Sequence, residues 1–266
     1  MNGVAIARET MRITKERQYT VGGQTVSLPN ADYAKAIVYT PQEGAALPTA
    51  KRDDAPICSF SVTTEDSFEA ARGFAEPLVM NFANAHSPGG GFLMGAKAQE
   101  ESLCRCSTLY ASLKSEDAKE MYRFNNTHIS AVESDYMLLS PTVCVFRDAQ
   151  CRLLETPFSV AVITLPAPNR RGAAAFASEE TVRQTFLRRI RIMLGIAAEN
   201  GYRNLVLGAW GCGAFGNKPE QVAEAFRQAL VDERCGAAFD NVRFAVYGRT
   251  DGRNYLAFKK VFDTDE

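Results

Sequence analysis

The sequence predicts an α/β fold of three layers, with helices on both faces of a central mixed β-sheet and an N-terminal helix and hairpin added to it. Two observations predict it. Apolar runs at 78–82, 137–146, 159–165, 204–207 and 242–246 are nearly continuous rather than alternating, as in strands buried on both faces. Between and after them stand long stretches with helical spacing, at 178–200, 219–231 and 253–262, which supply the covering layers. There is no internal repeat and no low-complexity segment to suggest another architecture.

In chain order, the spacing predicts a helix over 2–17 and a hairpin over 19–28 turning at Gly22-Gly23. A Pro/Gly/Ala-rich stretch follows at 41–56. Residues 1–56 are expected to form an accessory extension packed on the core, being too short and too poor in large apolar groups to hold a core alone. Residues 57–266 are expected to be the main domain. It opens with a strand at 57–62, a helix at 65–75 and a strand at 78–82, and continues with a helix over 98–113. Ser178 is a fitting N-cap for the helix over 178–200, and Gly201 a fitting stop.

Thirty basic residues against thirty-one acidic ones give a net charge of −1. That balance excludes a broad polyanion-binding surface, so an anionic ligand has to be held locally by backbone N–H groups and helix ends. The seven cysteines (58, 104, 106, 144, 151, 212 and 235) make no CxxC pair, and His86 and His128 lack paired-ligand spacing. No metal and no cofactor are expected. The odd cysteine count, an N-terminus without an apolar run and the absence of any window of about 20 apolar residues predict reduced thiols in the cytoplasm and no membrane partner. Oligomeric state is not legible.

Two stretches carry chemistry. The first runs Asn81-Phe-Ala-Asn84-Ala-His-Ser-Pro-Gly89-Gly90-Gly91, then seven residues, then Gln99-Glu100-Glu101. It starts where a buried strand ends, the place α/β sheets put ligands. Three glycines in a row suit a chain that passes very close to a sugar or phosphate. Acids opening a helix are also explained by its dipole alone, so the combination rather than the acids is the signal. The second stretch runs Gly208-Ala-Trp210-Gly211-Cys212-Gly213-Ala214-Phe215-Gly216-Asn217-Lys-Pro219. Its glycines let successive N–H groups turn inward as an anion nest, and Pro219 suits the first turn of a helix. It lacks the Gly-Lys-Ser/Thr ending of a Walker loop and lies far from a first βα unit. Trp210 reads equally as core packing or ligand contact, and Cys212 as packing. Tyr247 at a strand end reads equally as a core cap or a ligand contact; the loop 166–172 also follows a strand and is expected to border the same cleft, where Arg170 or Arg171 reads as a phosphate contact or, more simply, as a solvated loop charge.

The triple glycine, the seven-residue spacer and Gln99-Glu100-Glu101 resemble the signature of poly(ADP-ribose) glycohydrolases, closest to the compact microbial members. Asn81-Phe-Ala-Asn84 resembles the family's Asp-Phe-Ala-Asn, with Asn81 replacing Asp. Trp210-Gly-Cys-Gly-Ala-Phe-Gly216 resembles the family's diphosphate-binding loop nearly residue for residue. The resemblance covers about 57–262 by motif order and is specific at the two loops. It implies a macrodomain-like fold and an enzyme that cleaves the ribose–ribose bond of poly(ADP-ribose) to release ADP-ribose. It further implies Glu101 as catalytic acid/base, Glu100 orienting sugar hydroxyls, and Asn84 and Gln99 positioning the distal ribose and the loop. Gly89, Gly90, Gly91, Gly211, Gly213, Ala214 and Gly216 cradle the diphosphate, Phe215 packs on the ribose and Tyr247 stacks on adenine. Burial and a neighbouring carboxylate raise a carboxyl's pKa while a helix N-terminus lowers it, which leaves the net shift open. Removal of single ADP-ribose units from protein or nucleic acid stays as an alternative. So does a non-catalytic ADP-ribose reader, which two adjacent buried acids argue against.

Overall fold

In the strand Leu78–Ala83 the side chains divide by parity: Leu78 and Met80 enter one apolar cluster and Val79 the other. A sheet buried on both faces follows from that division. The computed structural model describes residues 2–50 and 55–263; part of the Pro/Gly/Ala-rich stretch, 51–54, lies outside them.

Helix α1 (Gly3–Glu16) starts at Asn2, whose side chain accepts from the Val4 N–H at 3.0 Å, and stops at Arg17 in the left-handed region. Strands β1 (Gln18–Val21) and β2 (Gln24–Ser27) form the expected hairpin. Two elements absent from the sequence expectations come next, β3 (Ile37–Tyr39) and α2 (Pro41–Ala46), the latter closed by a capping box between Thr40 and Glu43. β4 (Ser59–Thr63) and α3 (Ser67–Ala71) are each shifted or shortened against expectation, because Asp66 accepts from the N–H groups of Phe68 and Glu69 and fixes where α3 starts.

β5 (Leu78–Ala83) leads through the glycine-rich loop to α4 (Gln99–Cys106). The expected single helix over 98–113 is broken. Ser107 is extended and bridges Val145, its hydroxyl donating to the Leu103 carbonyl and accepting from the Leu109 N–H. A serine that serves the backbone on both sides competes with the helical ladder. Helix α5 (Leu109–Leu113) follows, then α6 (Lys119–Thr127), which was not anticipated. β6 (Met137–Arg147) and β7 (Leu153–Pro166) form a long antiparallel hairpin, and β7 begins earlier than the apolar run suggests. α7 (Glu179–Glu199), β8 (Asn204–Leu207), α8 (Pro219–Arg227), β9 (Asn241–Ala245) and α9 (Arg253–Phe262) complete the chain, with a π-helical turn at Gln228–Asp232 ending α8 early.

The large sheet has the order β3-β6-β7-β5-β8-β9-β4. From β7 to β4 the neighbours run parallel, while β6 runs antiparallel to both of its neighbours, β7 and β3, so the sheet is mixed. One face packs on α7, α8 and α9, with Phe186, Ile190, Phe226 and Phe258 in its core. The other packs on α3 to α6 through Phe68, Leu103, Leu109 and Met121. α1 and the hairpin sit against this second layer, where Ile13, Tyr19, Leu28 and Phe146 make a smaller cluster. Residues before 57 therefore also contribute β3, paired with β6, to the main sheet.

Candidate active site

Because β7, β5, β8 and β9 are parallel neighbours, the loops that follow them leave one edge of the sheet side by side. Both glycine-rich motifs, the 167–172 loop and Tyr247 are brought together this way. Gly208 records the closeness: a Cβ there would meet the Ala245 carbonyl at 2.5 Å and the Phe82 ring at 2.9 Å.

Glu100 and Glu101 open α4 and are 3% and 8% exposed. Glu100 accepts from the Asn84 N–H at 2.8 Å and from the Asn81 amide at 3.2 Å. Asn81 is wholly buried in β5 and its amide also donates to Thr164 on β7. Burial pushes the Glu100 carboxyl up to about 8, against the pull of these hydrogen bonds and with help from the Glu101 charge. Glu101 takes one contact, from the Gly91 N–H to Oε1 at 2.9 Å; its Oε2 is buried and finds no partner among the described residues.

The glycine triplet lies directly on these acids. At Gly90, whose φ of +54° already disfavours a side chain, a Cβ would stand 2.5 Å from Oε1 of Glu101 and 3.2 Å from Oε2 of Glu100. At Gly89 a Cβ would strike the Tyr110 ring, and at Gly91 the Ala96 methyl. Asn84 shapes the entry to the triplet, its side-chain oxygen accepting from the N–H groups of His86 and Ser87. Gln99 braces rather than reaches out: it accepts from the Phe82 N–H and donates to the Met80 carbonyl and Ser67.

In the second loop the N–H groups of Gly211, Gly213, Ala214 and Phe215 have no acceptor among the described residues. Asn217 ties the loop down, its side-chain amide donating to the carbonyls of Pro168 and Gly211 and its N–H to Gly211. A cavity of about 630 Å³ is lined by Phe82, Gln99, Gly211, Gly213, Ala214, Phe215 and Tyr247, and extends past α4 to Cys106 and Cys151. Asn84, the glycine triplet, Glu100, Glu101 and Gly216 are not part of that lining; the two acids lie against the triplet. Two alternatives left open by the sequence are closed. Trp210 is fully buried and edge-on to Phe186, so it is core, while Tyr247 is 75% exposed and caps nothing. Arg170 is bound to Glu179 at 2.9 Å, whereas Arg171 lies beside the second loop, 2.9 Å from where a Gly216 Cβ would stand. Burial raises the Cys212 thiol to about 12, as befits packing.

Thr164, Asn217, Phe82 and Tyr110 were not singled out by sequence reasoning. Phe82 and Asn217 stand inside the two quoted motifs, whereas Thr164 and Tyr110 carry no local signal.

Residues 7–148 match the family described as microbial-type PARG, catalytic domain. The crystal structure of poly(ADP-ribose) glycohydrolase from Thermomonospora curvata superposes with a TM-score of 0.89 at 39% identity, covering 98% of this chain and 99% of that one. The chain belongs to the microbial-type poly(ADP-ribose) glycohydrolase family. The Thermomonospora curvata enzyme bound to the inhibitor ADP-HPD gives a TM-score of 0.87 at 39% identity, over 97% of this chain and 98% of that one. The Deinococcus radiodurans poly(ADP-ribose) glycohydrolase in complex with ADP-ribose gives 0.81 at 38% identity, over 90% and 99%. No match was found among curated proteins. As in these glycohydrolase structures, the fold is α/β, here with a seven-stranded mixed sheet preceded by a helix and a hairpin. Among the described residues no helix is long and apolar enough to cross a membrane.

Proposed function

We propose that this chain hydrolyses the ribose–ribose O-glycosidic bond of poly(ADP-ribose) and releases ADP-ribose, with Glu101 as general acid and then base. The observation that carries it is the uncommitted Oε2 of Glu101. It belongs to a buried carboxyl whose other oxygen is fixed by the Gly91 N–H, in the segment after β5, and the neighbouring strand β8 leads into a loop of unpaired amides. Those amides suit a diphosphate, which delivers the adjoining ribose to the glycine triplet. The leaving ribose oxygen takes the Glu101 proton as the anomeric carbon gains oxocarbenium character. Glu101 then accepts a proton from the attacking water. Glu100, neutral at pH 7 in this setting, orients the sugar hydroxyls, and Asn84 holds both Glu100 and the loop entry. Tyr247 and Phe215 flank the adenosine, and Gln99 keeps α4 attached to β5. In the same reading residues 1–56 act as an accessory extension that seats α4, through Thr10 donating to the Arg105 carbonyl at 2.7 Å. The Thermomonospora curvata enzyme was also crystallised with a glutamate changed to alanine, and relatives carry ADP-ribose or ADP-HPD, in agreement with such a site.

The test is Glu101→Gln, assayed on poly(ADP-ribose), mono-ADP-ribosylated protein and mono-ADP-ribosylated nucleic acid in parallel. Wild type is expected to release ADP-ribose from the polymer. The variant should lose turnover while its ADP-ribose affinity stays within about tenfold, or 1.4 kcal/mol. Near wild-type turnover by the variant refutes the acid assignment. Activity confined to the mono-modified substrates refutes the polymer assignment, and binding without turnover leaves a reader.

A further inference from the structure

Two cysteines outside the carboxylate site meet where the cavity runs past α4. Cys106 is the last residue of α4 and 7% exposed. Cys151 lies in the turn between β6 and β7, half-buried and lining the cavity. Both thiols are free and meet at one acceptor: the Asp148 carbonyl takes the Cys151 N–H at 2.8 Å and the Cys106 Sγ at 3.4 Å, and both cysteines line the same stretch of cavity.

Two guanidinium groups, Arg105 and Arg147, line the same stretch of cavity as Cys151. Arg147, 2% exposed, donates to the Cys151 carbonyl at 2.8 Å and pairs with Glu9 at 2.5 Å, yet its buried Nε has no acceptor among the described residues. Arg105 approaches from α4, anchored to the Ala96 carbonyl and to Ser102. A buried guanidinium held at the Cys151 backbone, with one N–H unpartnered, favours an anion in its neighbourhood. We propose that Cys106 and Cys151 form a redox-active dithiol, oxidised by hydroperoxides to a disulfide joining the end of α4 to the β6–β7 turn.

The reaction divides the roles. The Cys106 hydrogen bond, followed by the Arg105 and Arg147 charges, holds the Cys151 thiol below the ordinary thiol range, although burial opposes it. Cys106 is pushed up by that same hydrogen bond, by burial and by the nearby Asp66 charge. The Cys151 thiolate attacks the peroxide O–O bond, giving Cys151 sulfenic acid and releasing hydroxide or alkoxide. The Cys106 sulfur then displaces the sulfenic hydroxyl: an S–S bond forms, and the Cys106 proton leaves with the hydroxyl as water. The two thiols lose two electrons and the peroxide gains them. Cys58, Cys104, Cys144 and Cys212 are all pushed the other way by burial, so the environment selects one thiol as nucleophile.

The full-length protein tests this directly. Iodoacetamide at pH 7 should alkylate Cys151 at least about tenfold faster than Cys212, the other half-buried thiol. Hydrogen peroxide should then give an intact mass lower by two hydrogens, with tandem mass spectrometry placing the cross-link between residues 106 and 151. Dithiothreitol should reverse it. In Cys106→Ser the resolving sulfur is gone, and dimedone should trap sulfenic acid at Cys151. Alkylation of Cys151 no faster than of Cys212, or oxidised wild type without a 106–151 cross-link, overturns the proposal; neither readout depends on the variant folding.

Discussion

The Glu100 carboxyl holds its proton to about 8 in the folded chain but releases it near the ordinary value of 4.5 once unfolded. Between those values the folded state binds the extra proton, so this group's contribution makes stability fall as pH rises from about 4.5 to about 8, and it is level above. Glu100→Gln removes that slope. The Asn81 side-chain oxygen has no partner, so rotating its amide accommodates the new NH₂ group. Thermal melts should show the variant gaining more than about 1 kcal/mol on wild type between pH 6 and pH 9; parallel curves would mean Glu100 is ionised when folded. Gly213 permits a second residue-scale expectation. Nothing lies within 4 Å of a Cβ built there, yet it lines the cavity. Gly213→Val should therefore keep the wild-type melting temperature and weaken ADP-ribose binding, and unchanged affinity by calorimetric titration removes that loop from the site. The acids and glycines were legible because they are contiguous in the chain. The Asn81–Thr164 contact was not, because it joins residues 83 positions apart that only strand pairing brings together.

Among the elements, α4 depends on its neighbours at both ends. Its N-terminal residue before the helix, Ala98, offers no side-chain cap, and Gln99 fastens the first turn to β5 instead. Its C-terminal end is held from α1, by Thr10 on the Arg105 carbonyl, while Glu9 of α1 reaches Arg147 on β6. Glu9→Ala leaves one arm of a buried guanidinium unpaired. The expected loss is about 1–2 kcal/mol, kept low because Glu9 is itself 38% exposed, and chemical denaturation of wild type and variant measures it. The break at Ser107 was illegible for a related reason: the apolar spacing continues through it, and only β6 next to it supplies the bridge that makes an extended serine favourable. β3, α2 and α6 are short, and their patterns give little weight to any periodicity. The long helix α7 and the buried strands carried enough repeats to be read directly.

Over the whole molecule, parallel strand order does what no single motif can, setting two loops more than a hundred residues apart on adjacent strand ends. Since both loops belong to the folded state alone, a ligand spanning them stabilises the entire fold by mass action. ADP-ribose at a hundred times its dissociation constant should add about 2.7 kcal/mol and raise the melting temperature by roughly 5–10 °C. A melt unmoved by saturating ADP-ribose would separate the loops functionally. The near-neutral surface, with a net charge of −1, also means that such binding relies on short-range amides and changes little with salt.

The crossbeam made by Asn217 has a thermodynamic corollary. Its amide reaches the carbonyls of Pro168 and Gly211 while its own N–H closes the turn on Gly211, so both ends of the second loop are fixed before any ligand arrives. The concavity is thus moulded while the chain folds, and an arriving anion has little disorder left to remove. Association there is expected to be driven by enthalpy, with a small conformational penalty.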